Sequence, residues 1–129
     1  MRNEGVDALR AFLASRAAPG AWPLPRGEAT DLSAAELAVE LVREKLYRRL
    51  NQELPYRLSV SLRGQRPLPG GGLRIELVVT VPSATLRKIV VGAGGRVMED
   101  YVVARSRHEL EHLLRVPIHL VVPVEVGEP

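Results

Sequence analysis

A glycine-rich stretch in the second half of the chain has residue types that suit phosphate binding. Residues 88–95 read KIVVGAGG, so a lysine and three aliphatic residues precede a Gly-x-x-Gly pattern. Glycine has no Cβ, and its backbone can therefore come within hydrogen-bonding distance of a phosphate. A long helical pattern begins at Gly95, and the free N–H groups at a helix start favour the same anion. The stretch predicts a loop that holds phosphates.

A second candidate site is the metal-binding pattern His108-Glu109-Leu110-Glu111-His112. On a helix, His108 and His112 would lie on one face and could hold zinc, with Glu109 as the general base. Glu111 is charged where such helices are usually apolar. A further ligand would have to come from His119, Glu125 or Glu128, all at unfamiliar spacing. The favoured interpretation is a solvated helix face, and a zinc-dependent hydrolase is an alternative hypothesis.

Composition limits the chemistry open to the chain. Of its 129 residues 46% are hydrophobic, 4% are aromatic and none is cysteine, which predicts an aliphatic core and excludes disulfides and thiol catalysis. The net charge is +3, and only Lys45 and Lys88 among the 18 basic residues are lysines. Arginine binds phosphate well, so an acidic partner is plausible. No apolar run reaches membrane-spanning length, and residues 1–20 lack the apolar core of a signal peptide. The sequence predicts an intracellular protein of the cytoplasm, or of a mitochondrial or plastid matrix.

Seven elements are predicted to position these residues. A short amphipathic helix over 5–16 precedes a linker over 17–32 that is rich in proline and glycine. The others are a helix over 33–52 capped by Ser33 and Glu36, strands over 57–64 and 73–81, a short helix over 84–91, a helix over 95–114 and a strand over 118–122.

Two helices carry further predictions. The apolar stripes of the 95–114 helix disagree in phase, which predicts a kink, bulge or irregular start near 97–103. The second helix is predicted to expose one charged face, with an i,i+4 ion pair between Glu44 and Arg48. The members of that face are Glu44, Lys45, Arg48 and Arg49.

The element order and five segments resemble the C-terminal type II KH domain of the Era and mitochondrial Era-like GTPase family. The segments are ELVREKL at 40–46, QELPY at 52–56, VVGAGG at 90–95, RHELEHLL at 107–114 and VPIHL at 116–120. The resemblance implies an α+β fold of helix–strand–strand–helix–helix–strand order, with a three-stranded mixed sheet packed against helices. It also implies a remnant of the GTPase-domain helix and connector at 1–32, a KH domain at 33–125 and a tail at 126–129.

The same resemblance implies binding of single-stranded RNA near the 3′ end of small-subunit ribosomal RNA, in assembly of the small ribosomal subunit. Phosphates would approach Gly92, Ala93, Gly94 and Gly95, with charge supplied by Arg87, Lys88 and Arg96. Ile89, Val91 and strand residues such as Val79 would form an apolar floor for bases. No catalytic residue, metal or cofactor is implied.

A GTPase domain is the other partner that the resemblance implies, in the full-length protein or in an assembly. The 129 residues contain neither a Gly-x-x-x-x-Gly-Lys-Ser/Thr loop nor an Asn-Lys-x-Asp motif. Without the loop that cradles nucleotide phosphates, we expect no GTPase activity from these residues.

Two features depart from the family pattern. Ala93 and Gly94 occupy the variable loop positions, where family members usually carry lysine or another polar residue. The end of the chain carries Pro123, Glu125 and Glu128, where the family tends to be basic. Both departures predict weaker or altered RNA binding, and they leave a second alternative, a degenerate KH module that docks on protein in a ribosomal assembly.

Overall fold

The computed structural model describes residues 4–25, 30–51 and 53–128. The chain divides into two units, Met1–Asp31 and Leu32–Pro129. In the first, helix α1 (Val6–Arg16) occupies the predicted stretch and buries none of its residues. That this unit is the end of a GTPase domain stays a prediction. Within the described residues, no helix is both long and apolar enough to cross a membrane.

The second unit begins with the capped helix that the sequence predicts. The Ser33 hydroxyl accepts a hydrogen bond from the Glu36 amide at 3.3 Å, and the Glu36 carboxylate accepts one from the Ser33 amide at 2.7 Å. This capping box starts helix α2 (Ala34–Arg49). Residue 52, the predicted helix end, lies outside the described residues. A short 3₁₀ turn, Leu54–Arg57, then leads to the sheet.

The sheet is mixed, with its second strand at the centre. Strands β1 (Ser59–Pro67) and β2 (Leu73–Val81) form the predicted antiparallel hairpin. Strands β3 (Ile118–Val121) and β4 (Val124–Val126) both pair in parallel with the other edge of β2. They are two parts of one edge, interrupted before β4 because Pro123 has no N–H to donate. The described residues therefore form a sheet of four strands, in which β3 and β4 follow one another along the same edge of β2. The sheet includes Val126, which the sequence places in the tail.

Two helices separated by the glycine loop connect β2 to β3. Helix α3 (Ala84–Val91) is capped by Ser83, whose hydroxyl accepts a hydrogen bond from the Leu86 amide. After the loop, Val97–Val103 form a π-helix that continues as helix α4 (Ala104–Leu114). A π-helix has more residues per turn than an α-helix, so it changes the phase of the side chains that follow. This confirms the irregular segment predicted near residues 97–103.

An aliphatic core lies between the sheet and helices α2, α3 and α4. Alternate residues of β2 point inward, because successive side chains of a strand face opposite sides of the sheet. The fully buried residues of the core include Val42, Leu46, Ile75, Leu77, Val79, Val81, Val90, Val102 and Leu110. On the opposite face of the sheet, Nη2 of Arg63 lies 2.8 Å from both carboxylate oxygens of Glu125.

Candidate nucleic-acid interface

The glycine loop forms an exposed turn between α3 and the π-helix. Gly92 has φ +76° and ψ 169°, and Gly94 has φ +63°, conformations that glycine adopts at little cost. A Cβ on Gly92 would lie 2.5 Å from Cγ2 of Val97. Gly92 therefore has a folding role, because only glycine lets the chain turn back this closely against Val97.

The backbone amides of the loop fall into two groups. The Gly95 amide donates to the Gly92 carbonyl at 3.2 Å and the Arg96 amide donates to the Ala93 carbonyl at 3.3 Å, which closes the turn. The amides of Ala93 and Gly94 donate no hydrogen bond to a backbone carbonyl of the described residues. Both residues are exposed. These two amides are therefore the groups that can donate to an anion.

The charged residues around the loop have unequal surroundings. Lys88 and Arg96 are exposed and have no ion pair within residues 4–25, 30–51 and 53–128. The Nε of Arg87 donates to the Val124 carbonyl at 2.8 Å, so this arginine ties α3 to β4 and keeps only its terminal nitrogens for a ligand. Glu99 opposes these cations, with its Cγ 3.5 Å from the position of a Cβ on the last loop glycine. A carboxylate here weakens the attraction of the loop for phosphate.

The apolar residues predicted to support bases lie in three different environments. Val79 is fully buried, because the strand alternation turns it into the core, so its assignment to a base floor is wrong. Val91 is half-buried and packs against the core. Ile89 is 46% exposed and lines a depression of about 240 Å³ together with Val97 and Arg49. Of the three, only Ile89 offers an open apolar surface.

A second depression, of about 420 Å³, lies on the sheet side and is lined by Glu99 and residues 119–123. The sequence does not predict it, since it forms where the β3 edge meets the start of the π-helix. Val97 lies against Gly92 and lines the first depression, whereas Glu99 lies against Gly95 and lines the second, so both depressions adjoin the loop. A strand whose backbone crosses the loop could place nucleotides in either depression.

The histidine pattern on α4 is not arranged as a metal site. Glu109, the hypothetical general base, forms an ion pair with Nζ of Lys45 at 2.7 Å. His108 and His112 are exposed. Among the described residues, no three or more histidine, aspartate or glutamate side chains cluster so that they could hold a metal. Glu109 therefore joins α2 to α4, which counts against the hydrolase hypothesis.

We expect the chain to hold no stoichiometric zinc. His108 and His112 supply at most two ligands, whereas zinc sites in proteins take three or four. Equilibration with zinc, dialysis and elemental analysis should give far less than one zinc per chain, both for the wild type and for His112→Ala. One zinc per chain that is lost in His112→Ala would instead support the hydrolase.

Comparisons with known proteins point to one family of relatives. No protein-family model matches the chain. GTPase Era of Bradyrhizobium diazoefficiens is 39% identical over 126 residues, which are 98% of this chain and 41% of the relative. GTPase Era of Maricaulis maris is 41% identical over 124 residues, which are 96% of this chain and 39% of the relative. The chain thus spans about two fifths of the length of the curated relatives it matches.

Two solved structures share the fold. A variant of Aquifex aeolicus Era bound to GDP and AlF4 matches with a TM-score of 0.81, and Era in complex with MgGDPNP and nucleotides 1506–1542 of 16S ribosomal RNA matches with 0.79. Each is 28% identical to this chain, and each match covers 95% of this chain and 41% of the solved chain. These matches confirm the predicted α+β fold. Over nearly all of its length, the chain therefore matches the C-terminal, KH-domain part of GTPase Era.

Proposed function

We propose that the second unit of the chain binds single-stranded RNA across the Gly92–Gly95 loop. The observation that carries this proposal is that the exposed amides of Ala93 and Gly94 stand beside two basic residues without ion pairs in the described chain, Lys88 and Arg96. Era, with the same fold, has been solved in complex with a segment of 16S ribosomal RNA, which supports RNA as the ligand.

The proposed target is the region near the 3′ end of small-subunit ribosomal RNA, and the proposed role is in assembly of that subunit. Similarity to Era over nearly the whole chain supports this choice. The protein would then act where its ribosomes are assembled, which in a bacterium is the cytoplasm. A GTPase domain would be its partner in this role. The proposal assigns no catalytic role to the described residues.

Backbone amides would hold the phosphates in place of a loop lysine. The two variable loop positions carry no charge, so attraction depends on those amides, on Lys88 and Arg96, and on the terminal nitrogens of Arg87. Glu99 reduces this attraction from its place against Gly95. The balance predicts weaker binding than a loop lysine would give, because charge-assisted hydrogen bonds are about twice as strong as neutral ones.

Replacing both Ala93 and Gly94 by aspartate should lower the affinity for single-stranded RNA by at least about tenfold, or about 1.4 kcal/mol. Two carboxylates at the anion-binding amides repel phosphate. A Cβ on Gly94 meets no atom within 4 Å, so only the left-handed backbone there (φ +63°) opposes aspartate and the fold should persist. Fluorescence anisotropy with a labelled RNA of the 3′-terminal small-subunit sequence measures the loss. Wild-type affinity should also fall as salt rises.

The matched control places the same two charges at Gly70 and Gly71 in the turn between β1 and β2. A Cβ at either position also meets no atom within 4 Å, and φ values of +88° and +91° strain a side chain there as φ +63° does at Gly94. Circular dichroism checks that both variants fold, and the affinity of the control should stay close to that of the wild type. Glu99→Gln should strengthen binding, because it removes the opposing carboxylate. Wild-type affinity in the loop variant would refute this binding site and would favour the protein-docking alternative.

A further inference from the structure

Helix α2 packs against α4 and against the π-helix that precedes it, and its cations have different partners in the two places. Lys45, which is only 3% exposed, lies 2.9 Å from a carboxylate oxygen of Glu44 and 2.7 Å from one of Glu109. One helical turn further along α2, Arg49 has no carboxylate partner in the described part of the chain. Its guanidinium carbon lies 6.0 Å from the ring centroid of Tyr101. The lysine charge is thus neutralised within the fold, whereas the arginine charge is not.

Arg105 lies over the same ring. Its guanidinium carbon is 4.7 Å from the Tyr101 centroid, the residue is exposed, and it too lacks an ion pair among the residues described. A guanidinium stacked on a ring keeps the N–H groups at its edge available. Two cations beside one ring repel each other. The pair Arg49 and Arg105 would therefore gain stability from an anion that contacts both.

The depression that contains Ile89 extends from Arg49 of this pair towards the glycine loop. Its lining residues are Arg49, Leu50, Asn51, Leu54, Ile89 and Val97. Val97 is the residue that packs against Gly92, so the depression reaches the loop itself. None of these lining residues is a carboxylate, whereas Glu99 lines the depression on the sheet side. Electrostatics therefore favours a polyanion on the Arg49 side of the loop.

We propose that Arg49 and Arg105 form a second phosphate-binding surface, which holds the backbone of the RNA segment next to the one held by the loop. This surface rests on the RNA binding proposed above. A guanidinium can bind a phosphate through two N–H groups while its face stays on Tyr101. Asn51 and exposed Ile89 offer an amide and an apolar surface to an unstacked base. Continuity with the loop and the absence of carboxylates among the described lining residues favour RNA over a protein.

The combined substitutions Arg49→Gln and Arg105→Gln test this surface with two RNAs of related sequence. One has about four nucleotides, enough for the loop alone. The other has about 12 and extends on both sides. The wild type should bind the long RNA more tightly, and the variant should lose that advantage while it binds the short RNA normally. Each phosphate contact on a single strand contributes about 0.7 to the slope of log affinity against log salt, so the slope for the long RNA should shrink by about 1.4.

The matched control is Arg107→Gln combined with Arg115→Gln. Both arginines are exposed, lie in or just after α4, and have no ion pair within the described residues. This control loses the same charge and should keep both affinities and the wild-type salt slope. Melting temperatures of the two double variants should be similar. A merely structural role of Arg49 and Arg105 would lower the melting temperature without changing the salt slope.

The results distinguish failure of this surface from failure of the loop. Both sites are supported if the aspartate loop variant binds both RNAs weakly and Arg49→Gln/Arg105→Gln loses affinity for the long RNA alone. If the arginine variant binds the long RNA like the wild type, or if the control loses as much, the second surface is overturned and the loop stands. If the wild type binds neither RNA, both proposals fall.

Discussion

Replacing Gly92 by alanine should lower the free energy of unfolding by about 3 kcal/mol. Gly92 has φ +76° and ψ 169°, a conformation almost confined to glycine, which costs other residues about 1–3 kcal/mol. The added Cβ would also lie 2.5 Å from Cγ2 and 3.0 Å from the backbone nitrogen of Val97, so the π-helix would have to shift. Urea denaturation followed by circular dichroism measures the change.

Gly94→Ala is the matched control in the same loop. Gly94 has φ +63° and ψ 24°, and a Cβ there meets no atom within 4 Å, so only the left-handed backbone opposes alanine, at about 1 kcal/mol. Adding Val97→Ala to Gly92→Ala should recover part of the loss, because it removes Cγ2 from the contact. Equal losses in the two single glycine variants would contradict the close packing of the turn.

The tight turn bears on RNA binding as well as on stability. Glycine at a variable loop position adds backbone freedom that binding must remove. The contact between Gly92 and Val97 and the two hydrogen bonds that close the loop remove part of that freedom in advance. The amides of Ala93 and Gly94 are therefore partly preorganised, which lowers the cost of binding. Gly92→Ala should for this reason weaken RNA binding more than Gly94→Ala does.

Local chemistry predicted the helices and all strands except β4, and periodicity located the irregular segment that the structure shows to be a π-helix. The Ser33 capping box and the alternation of residues 73–81 each needed only neighbouring residues. The sequence did not predict correctly which face of the last helix points inward. Met98 and Val102 are buried there, whereas Leu113 is 56% exposed although it lies only three residues after the buried Leu110. A π-helix rotates the side chains that follow it by an amount that sequence spacing does not reveal.

The candidate site likewise has parts that the local sequence predicts and parts that it does not. The loop could be found because its glycines are adjacent in the chain, whereas both depressions are assembled from segments far apart in sequence. The predicted ion pair between Glu44 and Arg48 forms at 2.7 Å. The prediction that Lys45 is exposed is wrong, because Glu109 of α4 packs over it. Partners from a distant element leave no mark in the local spacing around Lys45.

Lys45→Ala should lower the free energy of unfolding by about 3 kcal/mol, whereas Lys45→Met should cost less than about 1 kcal/mol. Alanine leaves a cavity where the buried aliphatic stem lay between α2 and α4, and methionine fills it. Neither variant leaves a buried charge without a partner, because the side chains of Glu44 and Glu109 are 38% and 45% exposed. Glu44 also keeps its ion pair with Arg48. Urea denaturation of the three proteins at neutral pH measures the difference.

The pH dependence of stability separates the ion pairs from the packing. Burial opposes the charge of Lys45, but the hydrogen bonds it donates to Glu109 and Glu44 outweigh burial and raise the pKa of the lysine. Its contribution is present below the ordinary lysine pKa and is lost as pH rises through the raised value. The hydrogen bond from Lys45 lowers the pKa of Glu44. That contribution is present above the ordinary glutamate pKa and is lost as pH falls through the lowered value.

Lys45→Met should therefore resemble the wild type between those two pKa values and lose less stability than the wild type beyond either of them. Glu109→Gln and Lys45→Met together form a double-mutant cycle. Glu109→Gln should destabilise the wild type at neutral pH and have little effect once Lys45 is methionine. If methionine cost as much as alanine, charge rather than packing would hold α2 to α4. Arg49 and Tyr101 lie one turn further along the same contact, so Lys45→Met, which preserves the packing, should also preserve RNA binding, whereas Lys45→Ala should weaken it.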